Sequence, residues 1–428
     1  MSNKASAVSV VPKYRFPEFC DNTEWSITVF GDISTPIEKR AGAKKYTLMS
    51  VTSGVGLISQ MEKFGREIAG SAYKNYIVIQ RGDFAYNKSA TKLFPEGYIA
   101  MLTDYDEAAL PNSIFTCFRL TDEQVCTKFF DYIFHSNYHG SWLRKFITVG
   151  ARAHGSLNVD DKHLWEMPVA LPKLPEQQKI ADCLTSLDEL IAAENEKLEA
   201  LKLHKKGLMQ KLFPAEGKTI PEWRFPEYKD SGEWRNRKIS EVTSYVDYRG
   251  KTPNKSVNGV FLVTAKNIKM GFIDYFASQE FIPENSYMEV MSRGLPKIGD
   301  VIITTEAPLG NIAQIDKENI ALAQRIIKYR GLKSEMNNTY LKYLFLSPKF
   351  QAHLQSKSTG GTVKGIKGSI LHDIIIDVPQ INEQEKIADC LSSLDDWISA
   401  QREKTETLKL LKKGLMQGLF PSVQEVIE

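Results

Sequence analysis

The residues best suited to chemistry in this chain are cations and amides set among glycines. Ser358 to Gly368 reads Ser-Thr-Gly-Gly-Thr-Val-Lys-Gly-Ile-Lys-Gly, and Thr362, Lys364 and Lys367 supply a hydroxyl and two charges. Backbone amides in so open a loop approach phosphate oxygens closely, and lysines add attraction. The plainer alternative is a run of turn residues. Gly150 to Gly155 is a shorter counterpart, small and basic, with Arg152 and His154. Tyr248 to Lys255 gathers Arg249, Lys251, Asn254 and Lys255. In a major groove Arg and Lys pair with guanine and Asn with adenine. Lys44-Lys45, Asn87-Lys88 and Arg144-Lys145 are lesser candidates for nucleic-acid contact, and the alternative for each is a solvated surface charge.

Bond-making chemistry finds no such support. Gly250-Lys251-Thr252 imitates the close of a P-loop, but the glycine required five residues earlier is Tyr245. There is no Gly-x-Gly-x-x-Gly after a strand, no Gly-x-Ser-x-Gly and no His-Glu-x-x-His. The Asn-Pro-Pro-Tyr or Asp-Pro-Pro-Tyr stretch that DNA amino-methyltransferases use to hold a flipped base is also missing. His135, His139, His154 and His163 do not put three metal ligands on one element. Cys20, Cys117, Cys126, Cys183 and Cys390 form no Cys-x-x-Cys pair and read as reduced thiols of a cytoplasmic protein. We therefore expect no catalytic residue, no metal and no cofactor bound by this chain.

The elements that position these residues come from a duplication. With 428 residues the chain exceeds one core, and 55 Lys and Arg against 52 Asp and Glu leave only +3, so a nucleic-acid surface must arise by local clustering. No run of eighteen apolar residues suggests a membrane span, and no signal peptide is evident. Glu176 to Pro214 aligns without gaps on Glu383 to Pro421, with 28 of 39 positions identical. A weaker echo precedes each copy: Tyr14-Arg15-Phe16-Pro17-Glu18 with Glu24-Trp25, and Trp223-Arg224-Phe225-Pro226-Glu227 with Glu233-Trp234. Each half is thus a leader, a variable region and a closing helix.

The closing segments carry a heptad seam. Ile180, Leu184, Leu187, Ile191, Leu198, Leu201, Leu208 and Leu212 step by fours and threes, with Glu194 and Lys205 in the two remaining seam positions. Ile387, Leu391, Leu394, Ile398, Leu408, Leu415 and Leu419 repeat it, interrupted by Gln401, Thr405 and Lys412. From Ile180 to Leu212 such a helix spans about 48 Å. Dimerisation through these seams is one reading. Pairing within the chain is the other and the one adopted here, because two seams in one molecule bury each other. If the helices run antiparallel, Glu194 and Thr405 fall in adjoining central layers.

The variable regions read as mixed. Tyr76–Ile79, Ile114–Phe118, Val260–Thr264 and Asp300–Thr305 have strand character, while Cys126–Phe134 and Thr339–Leu346 have helical character. A Gly-Asp turn recurs at Gly82-Asp83 and Gly299-Asp300.

Together these features resemble the specificity subunit of type I restriction-modification systems. The resemblance is carried by both copies of Glu-Gln-x-Lys-Ile-Ala-Asp-Cys-Leu-x-Ser-Leu-Asp, each continuing to Lys-Lys-Gly-Leu-Met-Gln-x-Leu-Phe-Pro, and by the Arg-Phe-Pro-Glu leaders. It implies an α+β protein: two mixed α/β target recognition domains, a pair of long antiparallel coiled-coil helices and a pseudo-two-fold repeat. It further implies that each domain reads one half of a split sequence in double-stranded DNA, and that the helices dock two methyltransferase subunits. Restriction/translocase subunits complete the assembly. S-adenosylmethionine, ATP and Mg would belong to those partners, and no membrane is involved.

On this reading residues 1–11 are a tail, 12–175 the first recognition domain, 176–214 the central helix, 215–222 a linker, 223–382 the second domain, 383–421 the last helix and 422–428 a tail. Groove-reading domains on one face of B-DNA sit roughly 34–36 Å apart, which suits helices of this length as a ruler for the unread spacer. A coiled-coil adaptor that binds only protein, and a self-sufficient DNA-modifying enzyme, are the competing readings.

Overall fold

The computed structural model describes residues 10–21, 24–69, 71–111, 115–149, 155–248, 253–361 and 364–427. The chain divides into two compact units, residues 1–194 with 404–428, and 195–403.

In the first unit β1 (Ser26–Val29) is followed by β2 (Ser34–Pro36), β3 (Thr47–Thr52), β4 (Gly56–Ser59), β5 (Ile77–Gln80), β6 (Phe84–Asn87), β7 (Tyr98–Met101), β8 (Glu107–Leu110) and β9 (Phe115–Leu120). Helix α1 (Thr127–His135), strand β10 (Pro168–Leu171) and helix α2 (Leu174–Leu212) come next. The strands form sheets of order β2-β9-β6-β7 and β4-β3-β8-β5, while β1 pairs antiparallel with β10. Every residue of β6 is buried, so the strand shows no polar alternation. Its Phe84 stacks on Phe118 with centroids 5.4 Å apart and meets Phe134 of α1 edge-on, also at 5.4 Å.

The second unit repeats this plan. Its elements are β11 (Arg235–Lys238), β12 (Thr243–Asp247), β13 (Val260–Val263), β14 (Phe281–Ile282), β15 (Val301–Thr305), β16 (Leu309–Gln314), β17 (Ile320–Leu322), β18 (Ile326–Gly331), helix α3 (Asn338–Leu346), β19 (Ile375–Val378) and helix α4 (Ile381–Leu419). The main sheet has order β12-β18-β15-β16, the same path as in the first unit, and β11 pairs with β19. The smaller sheet keeps the parallel pair (β13 with β17, as β3 with β8) but has three strands. Where the first core stacks phenylalanines, the second packs Val301, Ile303 and Ile327 around Tyr329.

The two long helices start two residues before the repeat and stop two before its end. Pro175 sits in the first turn of α2, where a missing amide costs nothing, and Phe213-Pro214 stops it. Of the seam, Ile180, Leu184, Leu198, Leu212, Ile387, Leu391, Leu394, Ile398 and Leu419 are buried, and Leu187, Ile191, Leu201, Leu208, Leu408 and Leu415 are half-buried. Within the first unit Asp188 meets Lys412, and Glu194 meets Lys404, each at 2.5 Å. As one residue number rises the other falls, so the helix segments run antiparallel. Lys205 and Asp395 make the equivalent pair in the second unit, again at 2.5 Å. The lysines that interrupt the heptads are therefore cross-helix ion pairs, and Thr405 is 1% exposed beside them.

Two acidic residues of each long helix fasten it to the rest of its unit, and a third acid in each unit ties two neighbouring strands together. Glu176 accepts both prongs of Arg15 at 2.8 Å and the Trp25 indole N–H at 3.3 Å, which explains the leader. Glu383 does the same for Arg224, at 2.7 Å twice, and for Trp234 at 3.3 Å. Asp188 accepts the Tyr132 hydroxyl at 2.9 Å, as Asp395 accepts that of Tyr343 at 2.6 Å. In the Gly-Asp turns Gly82 and Gly299 both take φ +88°, and the aspartate grips an arginine of the neighbouring strand. Asp83 holds Arg119 at 2.6 and 2.8 Å, and Asp300 holds Arg330 at 2.6 and 2.7 Å.

Candidate nucleic-acid interface

Each unit lays the chain at the close of its glycine-rich segment along the end of its central strand. In the first, the Leu157 amide donates to Lys88 O at 2.8 Å and the Ala90 amide to Gly155 O at 2.6 Å. A Cβ at Gly155 would stand 2.9 Å from Ala90 O, so a side chain there would force the strands apart. In the second, the Ile366 amide donates to Thr305 O at 3.0 Å, and Gly365 bridges to both Glu306 and Thr359. The residues that close the two basic loops therefore pair with equivalent strand ends in both units.

What surrounds them differs. Lys88 pairs with Asp161 at 2.5 Å, and that carboxylate also accepts the Thr116 hydroxyl at 2.9 Å. At the second strand end Arg325 pairs with Glu306 at 2.9 Å. Arg325 has φ +73°, a left-handed backbone uncommon for a residue other than glycine. Its carbonyl accepts from the Thr305 amide at 2.9 Å and the Thr305 hydroxyl at 3.2 Å, which holds that conformation. Lys364 and Lys367 stand exposed on the adjoining loop.

The other candidates are scattered. Asn87 is only 9% exposed, and its side chain bonds Val51 O at 3.4 Å and the Ser89 amide at 3.1 Å. Its side chain thus shapes the strand end. Lys44 shares Glu107 with Lys39, at 2.8 and 2.5 Å, and these two lysines pull that carboxyl down to about 2. Lys45 is exposed. Arg144 pairs with Glu96 at 2.6 Å, Lys145 lies 3.6 Å over the Trp142 ring, and Lys255 pairs with Glu280 at 2.7 Å. Asn254 lines an open cleft of about 370 Å³ in the second unit, with Tyr248, Glu289 and Arg293. Arg152, His154, Arg249, Lys251 and Thr362 lie outside the described residues.

Sequence reading missed Arg325, Glu306 and Asp161, because nothing in their immediate neighbours marks them. The only available signal was a charged residue directly before a β-branched run, as Arg325 is before Ile326-Ile327. Among the described residues no group of three or more His, Cys, Asp or Glu is arranged to hold a metal, and no helix is long and apolar enough to cross a membrane.

A twofold repeat of sheet, basic loop and long antiparallel helix segment defines a class of protein, and comparison with known proteins gives it a family. Residues 61–203 and 231–410 match the type I restriction modification DNA specificity domain, and the chain belongs to that family. It is 28% identical over 287 residues to the type I restriction enzyme MjaVIII specificity subunit of Methanocaldococcus jannaschii, covering 64% of this chain and 66% of that one. It is 26% identical over 286 residues to a putative MjaX specificity subunit of the same organism, covering 64% and 63%. The matches therefore span just under two thirds of those relatives. The fold is similar to that of the type I restriction-modification S subunit from M. genitalium, with TM-score 0.56 and 15% identity over 96% of this chain and 100% of the other. A structure from work on assembly and conformational transition of the type I R-M system gives TM-score 0.56 at 19% identity, over 92% and 97%.

Proposed function

We propose that this chain selects DNA sequence for a type I restriction-modification complex, each unit reading one half of a bipartite, asymmetric target. One observation carries the reading: the residues that fasten sheet to helix are the same in both units, while the charges beside the basic loops differ. A shared scaffold with unlike reading ends suits two unlike half-sites. The helices act as the ruler for the unread spacer, and as the dock for two methyltransferase subunits. Exposed apolar side chains at equivalent helix positions support docking: Leu190 and Leu410 in the first unit, Trp397 and Leu203 in the second. Two equivalent patches suit two copies of one partner.

Chemistry belongs to those partners. S-adenosylmethionine resides in the methyltransferase subunits, and ATP with Mg in restriction/translocase subunits, while this chain positions them in the cytoplasm where their DNA lies.

Exchanging residues 26–172 for the corresponding region of another specificity subunit tests the modular reading. Methylome sequencing of cells carrying the exchange should show one half-site changed and the other kept. Changes in both would refute modular reading.

A further inference from the structure

We infer that Arg325 reads a guanine in the half-site addressed by the second unit, with Glu306 holding its guanidinium in place. The inference rests on the DNA-reading role proposed above and adds a residue, a base and a geometry to it.

The backbone at Arg325 carries the first part of the argument. A left-handed conformation is disfavoured for a side chain with a Cβ, and persists only where its surroundings enforce it. Here Thr305 enforces it with two hydrogen bonds to the Arg325 carbonyl, at 2.9 and 3.2 Å. Such strain clusters where a side chain must be aimed.

The side chain carries the second part. Arg325 Nε lies 2.9 Å from Glu306 Oε1, and the two side chains are 46% and 43% exposed. With the Nε edge taken by the carboxylate, the terminal amino groups are left as a planar fork of donors on a half-exposed surface. That fork fits the O6 and N7 acceptors of guanine. Glu306 is itself positioned by the glycine-rich loop. A Cβ at Gly365 would stand 3.4 Å from the Glu306 Cβ and 3.7 Å from its Oε2, so the loop lies directly on the carboxylate.

Charge supplies the third part. Along this edge stand Arg325, Glu306, Lys364 and Lys367, with an excess of positive charge and both lysines exposed. Lysines at the flanks suit phosphates, which fix register without reading sequence. A phosphate contact alone requires neither the strained backbone nor the carboxylate that orients the fork. In the first unit the strand end matching Thr305 carries Lys88, paired with Asp161, so its half-site is read with different charges.

The test uses the full chain assembled with methyltransferase subunits. Its target is read from the methylome, and the second unit's half-site is the one that survives exchange of residues 26–172. Each guanine of that half-site is replaced in turn by 7-deazaguanine, which lacks the N7 acceptor. One position should weaken binding about tenfold or more. Arg325→Asn, which tolerates the left-handed backbone, and Arg325→Lys, which keeps the charge, should each lose a similar factor on unmodified DNA and no longer respond at that position. Thermal unfolding of both variants should match the parent. Lys364→Ala with Lys367→Ala should weaken all sequences alike and flatten the salt dependence by about one to two counterions. A half-site without guanine, or an Arg325→Asn complex that keeps its full 7-deazaguanine sensitivity, overturns the assignment alone. A parental complex that selects no sequence overturns the DNA-reading role and the assignment with it.

Discussion

Glu176 and Glu383 are buried acids in different units, 207 residues apart, and each is gripped by an arginine and a tryptophan of its own leader. Lys88 and Thr305 both accept an amide from the chain at the close of a glycine-rich segment, yet the ion pair beside one is Lys-Asp and beside the other Arg-Glu. The units agree wherever a residue ties sheet to helix and part where a loop meets solvent. Fastening depends on angle and distance within one fold, so it tolerates little change. The strand ends answer to whatever lies outside the protein, and are free to differ.

The largest effect should come from breaking a fastening. Glu383→Ala leaves Arg224 buried without its counter-charge and should cost about 3–5 kcal/mol. Glu176→Ala, which removes the matching carboxylate from Arg15 and Trp25, should cost a similar amount. Chemical denaturation measures both, and a loss under 1 kcal/mol in either would break the equivalence of the units.

Acid should separate them next. His139 is fully buried, its ring meeting Phe134 edge-on, and burial pushes its imidazole down to about 4. The corresponding place in the second unit holds Phe350, stacked on Phe345 at 4.4 Å. The unfolded chain binds a proton on His139 near pH 6.5 and the folded chain only near pH 4. Stability present above 6.5 is therefore lost as pH falls through that window, by about 3 kcal/mol in all. His139→Phe should remove that decline, and unfolding followed from pH 7 to pH 4 checks it.

The smallest effect concerns the hydroxyls on the helix carboxylates. Burial, with Asp188 and Asp395 adding to it, pushes the Tyr132 and Tyr343 phenols above their ordinary range. Tyr132→Phe and Tyr343→Phe should each cost about 1–2 kcal/mol in urea unfolding. Unequal losses would show that one unit leans harder on this contact.

The helices were legible because 39 residues of constant length align without gaps. The leaders and the Gly-Asp turns showed as echoes, but the pairings they make did not, since the loops between them differ in length. The offset between units is 209 at Arg15, 217 at Asp83, 211 at Tyr132 and 207 at Glu176. A gapless comparison sees each as an isolated coincidence. Strand cores were legible in part: Val260–Val263 and Val301–Thr305 lie where β-branched residues cluster. The strands Thr47–Thr52 and Glu107–Leu110, whose polar residues and alanines give no periodic signal, were not singled out. Of the candidate interface, composition pointed to the loops because glycines among basic residues stand out. Arg325 and Glu306 needed the fold, because their meaning lies in a pairing across a sheet.

The second unit is one uninterrupted stretch, Asn195 to Glu403, while the first needs residues 404–428 from beyond it. Leu419, Phe420, Val423 and Val426 belong to the first core, and Lys412 is the partner of Asp188. During synthesis the second unit has all its residues first, although it is encoded later. The first unit emerges from the ribosome early and stays unfinished, its apolar helix face uncovered, until the last turns of α4 are made. Newly made chains therefore pass through a period in which one half is sealed and the other depends on chaperones or on speed.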